Sequence, residues 1–188
     1  MCFINFYISF SNKNKISYYS KNGLVDILED LYIPSSIEEI FESIKKDIKG
    51  EKLLKNYKNK FENIYNKALN TKIDFLEKTF FTYFKIAKII LDFEEDIILN
   101  ASNSLLEKGP RIDYKIFDDK KVFNRKFDYL PLIKSAMSFK LAGVDEQTIS
   151  LGFIESFAHF IANEIDNLHG NYELDGVSLC GDMFANIR

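Results

Sequence analysis

The sequence has no tryptophan and little cysteine or proline, with two and three residues respectively among 188. Cys2 and Cys180 lie near opposite ends, so we expect neither a disulfide framework nor a metal site built on a CxxC spacing. A reducing cytoplasm is the simplest location for such a chain. The three prolines, without any tract rich in glycine or serine, give no sign of a flexible linker.

Common catalytic and binding motifs are also missing. The sequence contains no GxGxxG, GxxxxGK[ST], GxSxG or HExxH pattern and no EF-hand loop. The apolar residues 3 to 10 follow no basic segment and precede no small-residue cleavage site, which argues against a signal peptide. A membrane span is not expected either, because Lys85 and Lys88 would each cost about 2.5 to 3.5 kcal/mol in the bilayer. We therefore predict no cofactor and no membrane partner.

Aromatic residues are plentiful, with 18 phenylalanines and 10 tyrosines, and 46% of the chain is hydrophobic. This is enough to build one core. The segment from about 71 to 99 is apolar on two helical faces, with Phe80, Phe84 and Leu91 on one face and Tyr83 and Ile90 on the other. That pattern predicts a long central helix enclosed by other helices.

The rest of the chain predicts shorter elements around that helix. Alternating aromatic and β-branched residues indicate two short β-hairpins, at about 3–19 and 112–127. Ser36 with Glu39 fits a capping box, and Asp145 or Thr148 is placed to begin a last long helix. We expect a mainly α fold, a single helical domain over 1–188 with a possible subdivision at Gly109-Pro110, and an irregular tail over 171–188.

One line of polar residues on the last predicted helix could support chemistry. Glu155, His159, Asn163 and Asp166 follow one another at helical spacing, and His169 comes three residues later. Imidazole and carboxylate groups bind divalent metals, and a carboxylate can also hold a histidine as a general base. An enzyme centred on His159, with Glu155, Asp166 and His169 as metal ligands, is therefore one alternative. A solvated helix face is the simpler interpretation, since one helix alone cannot bring four ligands together.

The charge distribution favours a binding function instead. The net charge is −3, and residues 91 to 188 carry 17 acidic and 10 basic groups, whereas residues 1 to 90 carry 11 and 15. An acidic surface can imitate nucleic acid toward a basic protein. The first hypothesis is therefore a non-enzymatic inhibitor, an immunity protein or antitoxin whose protein partner is a toxin, possibly a basic nuclease encoded nearby. Its predicted contact residues are Glu94, Glu95, Asp96, Asp118, Asp119, Glu155, Asp166 and Phe81.

A third hypothesis concerns the stretch from Lys45 to Lys67, which holds eight lysines and three acidic residues. Aromatic residues alternate with the lysines there, as in some RNA-binding helical modules. No arginine, the usual bidentate partner of phosphate and guanine, occurs in this stretch. A solvated helix face with its aromatic residues turned inward is therefore the preferred interpretation, and a nucleic-acid partner is not expected.

Overall fold

The structure is a computed structural model that describes residues 1–117 and 122–185. Its strands are β1 Phe3–Tyr7, β2 Lys15–Ser20, β3 Gly23–Asp26, β4 Lys115–Ile116, β5 Phe127–Asp128 and β6 Gly176–Cys180, and its helices are α1 Ile37–Ile44, α2 Ile48–Lys60, α3 Glu62–Asn70, α4 Phe80–Leu91, α5 Ile97–Ser102, α6 Leu130–Leu141 and α7 Glu146–Asn171. A short 3-10 helix spans Asp182–Ala185. About half of the chain is helical.

Strands from both ends of the described chain form a four-stranded mixed sheet. Its strand order is β3-β2-β1-β6, with β1 antiparallel to β2 and parallel to β6. In this register Phe3 pairs with Gly176, and Tyr7 pairs with Cys180. The prediction of a mainly α bundle is therefore wrong, because the chain has an α/β fold. The tail predicted to be irregular supplies β6.

The core joins the sheet to the helices. Ile4 and Phe6 of β1 are fully buried and belong to the same cluster as the buried residues of α4 and α7. Phe80 lies at the centre of an aromatic group, 4.9 Å from Phe157 and 5.1 Å from Phe127 between ring centroids. Such edge-on and tilted ring pairs add about 0.5 to 1.5 kcal/mol each beyond their buried area.

The long central helix predicted over 71–99 is not present, since α4 covers only Phe80–Leu91. Buried Asn14, from the loop between β1 and β2, determines where α4 begins. Its side-chain oxygen accepts the N–H of Phe80 at 2.8 Å, and its backbone N–H donates to the carbonyl of Lys78 at 2.9 Å. Thr79 then caps α4 by accepting the N–H of Thr82 at 3.0 Å. At the other end Asp92 adopts a left-handed conformation, with φ 51°.

The first predicted hairpin is part of a larger sheet, and the second forms a short two-stranded sheet of its own. β1 and β2 pair antiparallel as a hairpin does, but β3 and β6 extend the pair into the sheet. The second hairpin consists of the two-residue strands β4 and β5, in which Lys115 pairs with Asp128. The predicted subdivision at Gly109-Pro110 stays a prediction.

Gly181 is placed where the sheet turns into the 3-10 helix, and we expect its replacement by alanine to destabilise the fold. Its φ is +106°, and a Cβ there would lie 2.1 Å from the carbonyl oxygen of Ile8. Gly143 is the matched control, because it has φ +85° but a Cβ there meets nothing within 4 Å. Backbone strain alone costs about 1 to 3 kcal/mol. Equilibrium urea unfolding should therefore show a clearly larger loss for Gly181→Ala than for Gly143→Ala, and equal losses would contradict the role of the close approach.

Candidate functional site

The polar side of α7 forms one wall of a groove, and residues 108–117, here called the strap, form the other. The first section of this α7 groove has a volume of about 620 Å³ and the second about 420 Å³. The two sections share Tyr114, Ile116, Glu164 and Asn167, so they are continuous. Lys108, Arg111 and His159 line the first section, and Lys115 and Arg125 line the second.

The strap reaches α7 through an unusually close backbone contact. A Cβ on Gly109 would lie 2.2 Å from the backbone nitrogen of Gly152, and a Cβ on Gly152 would lie 2.2 Å from the carbonyl oxygen of Pro110. Two glycines are therefore required where the strap crosses the helix. Beyond the crossing, Glu155 accepts the N–H of Gly109 at 2.7 Å, and Ser156 accepts the N–H of Ile112 at 2.9 Å.

Tyr114 connects the strap to the core. Its hydroxyl donates a hydrogen bond to the carbonyl of Phe153 at 3.0 Å, and its ring stacks on Phe160 with centroids 5.8 Å apart. Burial raises the pKa of the Tyr114 phenol well above its usual value. The hydroxyl therefore remains a donor throughout the physiological pH range, and the strap stays anchored.

A buried ion pair joins Glu164, which lines both sections of the groove, to Arg125 in the segment that precedes β5. The Arg125 guanidinium bonds to the Glu164 carboxylate, and their side chains are 16% and 8% exposed. The backbone of Arg125 is fixed as well, because its N–H donates to Ile27 at 3.0 Å and its carbonyl accepts from Glu29 at 2.8 Å. Within the described residues, the Nε of Arg125 is buried and has no hydrogen-bond partner. Through its side chain Arg125 is bonded to α7, and through its backbone it is bonded to the chain after β3. The ion pair therefore connects these two parts of the fold.

The predicted metal site does not assemble. Glu155 and His159 both line the groove, but Asp166 is exposed and lines neither section. His169 is occupied elsewhere, since its Nδ1 accepts the N–H of Leu174 at 3.3 Å. Within 1–117 and 122–185, no group of three or more His, Cys, Asp or Glu residues is arranged to hold a metal ion.

Among the predicted contact residues, Asp96 and Phe81 line one cavity, whereas Glu155 lines the α7 groove. Glu94, Glu95 and Asp96 form an exposed turn between α4 and α5, where Asp96 pairs with Lys88 at 3.5 Å. Asp118 and Asp119 lie outside the described residues. Phe81 is half-buried, with the Phe10 ring 5.1 Å away and the Lys85 ammonium 5.3 Å from its centroid. The structure therefore brings neither Phe81 nor this turn to the α7 groove.

Several lysines of the Lys45–Lys67 stretch contact other parts of the protein. Lys60 donates to the carbonyl of Leu141 at 2.7 Å, and Lys67 pairs with Asp92 at 2.6 Å. Lys58 lies 5.5 Å from the centre of the Tyr65 ring. Tyr57 and Tyr65 are buried, so these two rings of the stretch are not available to stack on bases.

Arg125 and Glu164 are not among the site residues predicted above, although the sequence contains a signal for Glu164. The residues Phe157, Ile161, Glu164 and Leu168 repeat at intervals of four, three and four, so a carboxylate lies within the buried stripe of α7. A buried carboxylate needs a cation or several donors. With three arginines in the whole sequence, Arg125 was a reasonable candidate.

Comparison with known proteins shows what the chain is similar to. No family model matches the chain. The chain is similar to the protein HydE of Wolinella succinogenes. The two are 28% identical over 147 residues, and the match covers 73% of this chain and 27% of HydE. The chain therefore spans about a quarter of the length of that relative.

A solved structure shows the same fold. The crystal structure of full-length HypF in the phosphate- and nucleotide-bound form matches 99% of this chain and 28% of its own, with a TM-score of 0.62 and 13% sequence identity. The prediction of an immunity protein or antitoxin is therefore wrong, because the sequence of this chain is similar to that of the protein HydE. No described helix is both long enough and apolar enough to cross a membrane.

We expect Gly152→Ala to destabilise the protein and to loosen the strap, because the new methyl group would meet the carbonyl of Pro110. Gly170→Ala is the matched control in the same helix, where a Cβ meets nothing within 4 Å. Helix propensity favours alanine over glycine by about 1 kcal/mol at both positions. Urea unfolding should show lower stability for Gly152→Ala and unchanged or higher stability for Gly170→Ala. A stabilised Gly152→Ala variant would contradict the close crossing.

Breaking the buried ion pair on one side should be much more harmful than replacing both partners. Arg125→Met or Glu164→Leu leaves one buried charge uncompensated, which costs about 3 to 5 kcal/mol, whereas an apolar pair is often close to neutral. The stability of the Arg125→Met/Glu164→Leu double variant should therefore exceed that of either single variant in urea unfolding. Additive losses in this double-mutant cycle would mean that the two groups do not interact.

Proposed function

We propose that this chain is a hydrogenase maturation factor, or the part of one that corresponds to a quarter of HydE. The observation that carries the proposal is the 28% identity to HydE over 147 residues, supported by a fold shared with HypF over 99% of the chain. The likeness to HypF supports the proposal only through the shared fold, so the sequence identity to HydE carries it. The cytoplasmic location expected from the two separate cysteines is part of this proposal.

The described residues favour a role in binding. Glu155 accepts one N–H of the strap, and Glu164 is paired with Arg125, so each carboxylate of the groove wall has a partner that holds the fold together. His159 lines the groove without a carboxylate bonded to it in the described part of the chain. We infer that this chain positions a protein partner during maturation and that it carries no turnover by itself.

Gene deletion tests the maturation role. Removing the coding segment from its own genome should abolish hydrogen-dependent reduction of a viologen dye in cell extracts, because immature hydrogenase lacks activity. Complementation with the wild-type chain should restore the reduction, and complementation with Wolinella succinogenes HydE should restore it at least in part.

Two variants sharpen the deletion test. The Arg125→Met chain should restore less activity, because the groove floor depends on the ion pair, whereas Lys52→Ala/Lys55→Ala on the exposed face of α2 should restore it fully. Immunoblots of the hydrogenase subunits establish that the enzyme is synthesised in each strain. Full hydrogenase activity in the deletion strain would overturn the proposal.

A further inference from the structure

The α7 groove combines a regular row of polar side chains with a wall of cations. His159, Asn163 and Asn167 are exposed and lie four residues apart along α7. Four helical residues advance about 6 Å, whereas two residues of an extended chain advance about 6.6 to 6.8 Å. A peptide strand lying along α7 would therefore present an equivalent backbone group to each member of this row.

The two asparagines are suited to bond a peptide backbone. A side-chain amide both donates and accepts, so one asparagine can pair with the N–H and the C=O of one residue in an extended chain, since these two groups point to the same side. The row ends at Asn171, whose side chain is engaged with the carbonyl of Asn167 at 2.6 Å. Tyr114 and Ile116 of the strap, both half-buried, supply apolar surface on the side of the groove that faces the row.

The charges along the groove select the side chains of such a peptide. Among the described residues that line it, the cations are Lys108, Arg111, Lys115 and Arg125, and the carboxylates are Glu155 and Glu164. Glu164 is neutralised by Arg125, and Glu155 accepts a hydrogen bond from the strap backbone. Lys108 and Lys115 have no ion pair with another described residue, and Arg111 is 89% exposed with Asp113 3.6 Å away. The groove therefore carries an excess of positive charge, although the net charge of the chain is −3.

Nucleic acid fits these features less well than a peptide does. Single-stranded nucleic acid is bound by successive aromatic rings on which its bases stack. In the first section of the groove, the Tyr114 and Phe160 rings stack on each other, and Phe160 is 6% exposed. Phe117 is the exposed ring of the second section. The exposed rings are thus the His159 imidazole in the first section and Phe117 in the second, and two rings in separate sections do not provide a stacking series.

We propose that the α7 groove binds an extended peptide segment that carries acidic side chains. Asn163 and Asn167 bond its backbone, and Lys108, Arg111 and Lys115 attract its carboxylates. The proposal goes beyond a role in hydrogenase maturation and does not depend on it. Its test uses the purified chain alone, so a failed peptide measurement and a failed gene deletion are distinguishable.

Fluorescence anisotropy measures the binding directly. The probe is a labelled nine-residue peptide that alternates aspartate with alanine, and the control peptide has asparagine at each aspartate position. We expect the acidic peptide to bind about tenfold more tightly at low salt and to lose that advantage as salt screens the charges. Equal affinities for the two peptides would overturn the proposal.

Matched variants assign the binding to the groove. Asn163→Ala/Asn167→Ala and Lys108→Ala/Arg111→Ala should each weaken binding about fivefold or more. The controls are Asn66→Ala/Asn70→Ala on α3 and Lys52→Ala/Lys55→Ala on α2, which have the same spacings on exposed helix faces and should change nothing. A loss of binding that is equal in the groove and control variants would contradict this location.

A charge reversal keeps the test decisive if an alanine variant fails to fold. Lys108→Glu/Arg111→Glu should reduce binding of the aspartate peptide and increase binding of the same peptide with lysine in place of aspartate. A labelled eight-residue oligouridylate is the second probe. If it binds more tightly than the acidic peptide and Phe117→Ala weakens it, the groove is a nucleic-acid site and the peptide proposal is wrong.

Discussion

The arrangement of the groove depends on the buried pair between Arg125 and Glu164. Two charges taken out of water are tolerated only when they meet each other with good geometry, so the position of either one determines the position of the other. Arg125 cannot move away, because its backbone is hydrogen-bonded to Ile27 and Glu29 on the chain that follows β3. Glu164 cannot move either, since it belongs to the buried side of α7. The pair therefore fixes α7 relative to the N-terminal part of the fold.

The strap applies a similar constraint at the other end of the groove. Gly109 and Gly152 allow backbone to touch backbone, and Glu155 and Ser156 then bond the strap through its N–H groups. Both carboxylates of the groove wall, Glu155 and Glu164, thus bond to other parts of the fold. What remains accessible is a row of neutral amides, an imidazole and several cations, which explains why a chain with an acidic second half contains a groove of the opposite sign.

Local features of the fold could be predicted from the sequence, and distant pairings could not. Ser36 caps α1 by accepting the N–H of Glu39, and Asp145 caps α7 by accepting the N–H of Thr148, as the residue types indicate. The interruption before α4 was missed, because it depends on Asn14, which lies 66 positions from Phe80. β6 was missed for the same reason, since its partner is β1 at the opposite end of the described chain.

The candidate site was predicted only in part. Glu155 and His159 were identified from their spacing, and both line the groove, but the spacing suggested metal ligands. Helical periodicity shows which residues share a face and not what stands opposite that face. The strap, Arg125 and the crossing glycines come from other segments, so the chemistry of the groove became visible only with the tertiary structure.

The parallel pairing of β1 with β6 has a consequence for biosynthesis. Phe3 and Gly176 are neighbours in the sheet, yet a ribosome that adds about 5 to 20 residues per second makes the second roughly 9 to 35 seconds after the first. During that interval the nascent chain can form β1, β2 and β3, while the edge of β1 that will receive β6 remains open. An open edge beside Ile4 and Phe6 can recruit the wrong strand, so chaperones that act on nascent chains should bind this segment until Gly176–Cys180 has emerged.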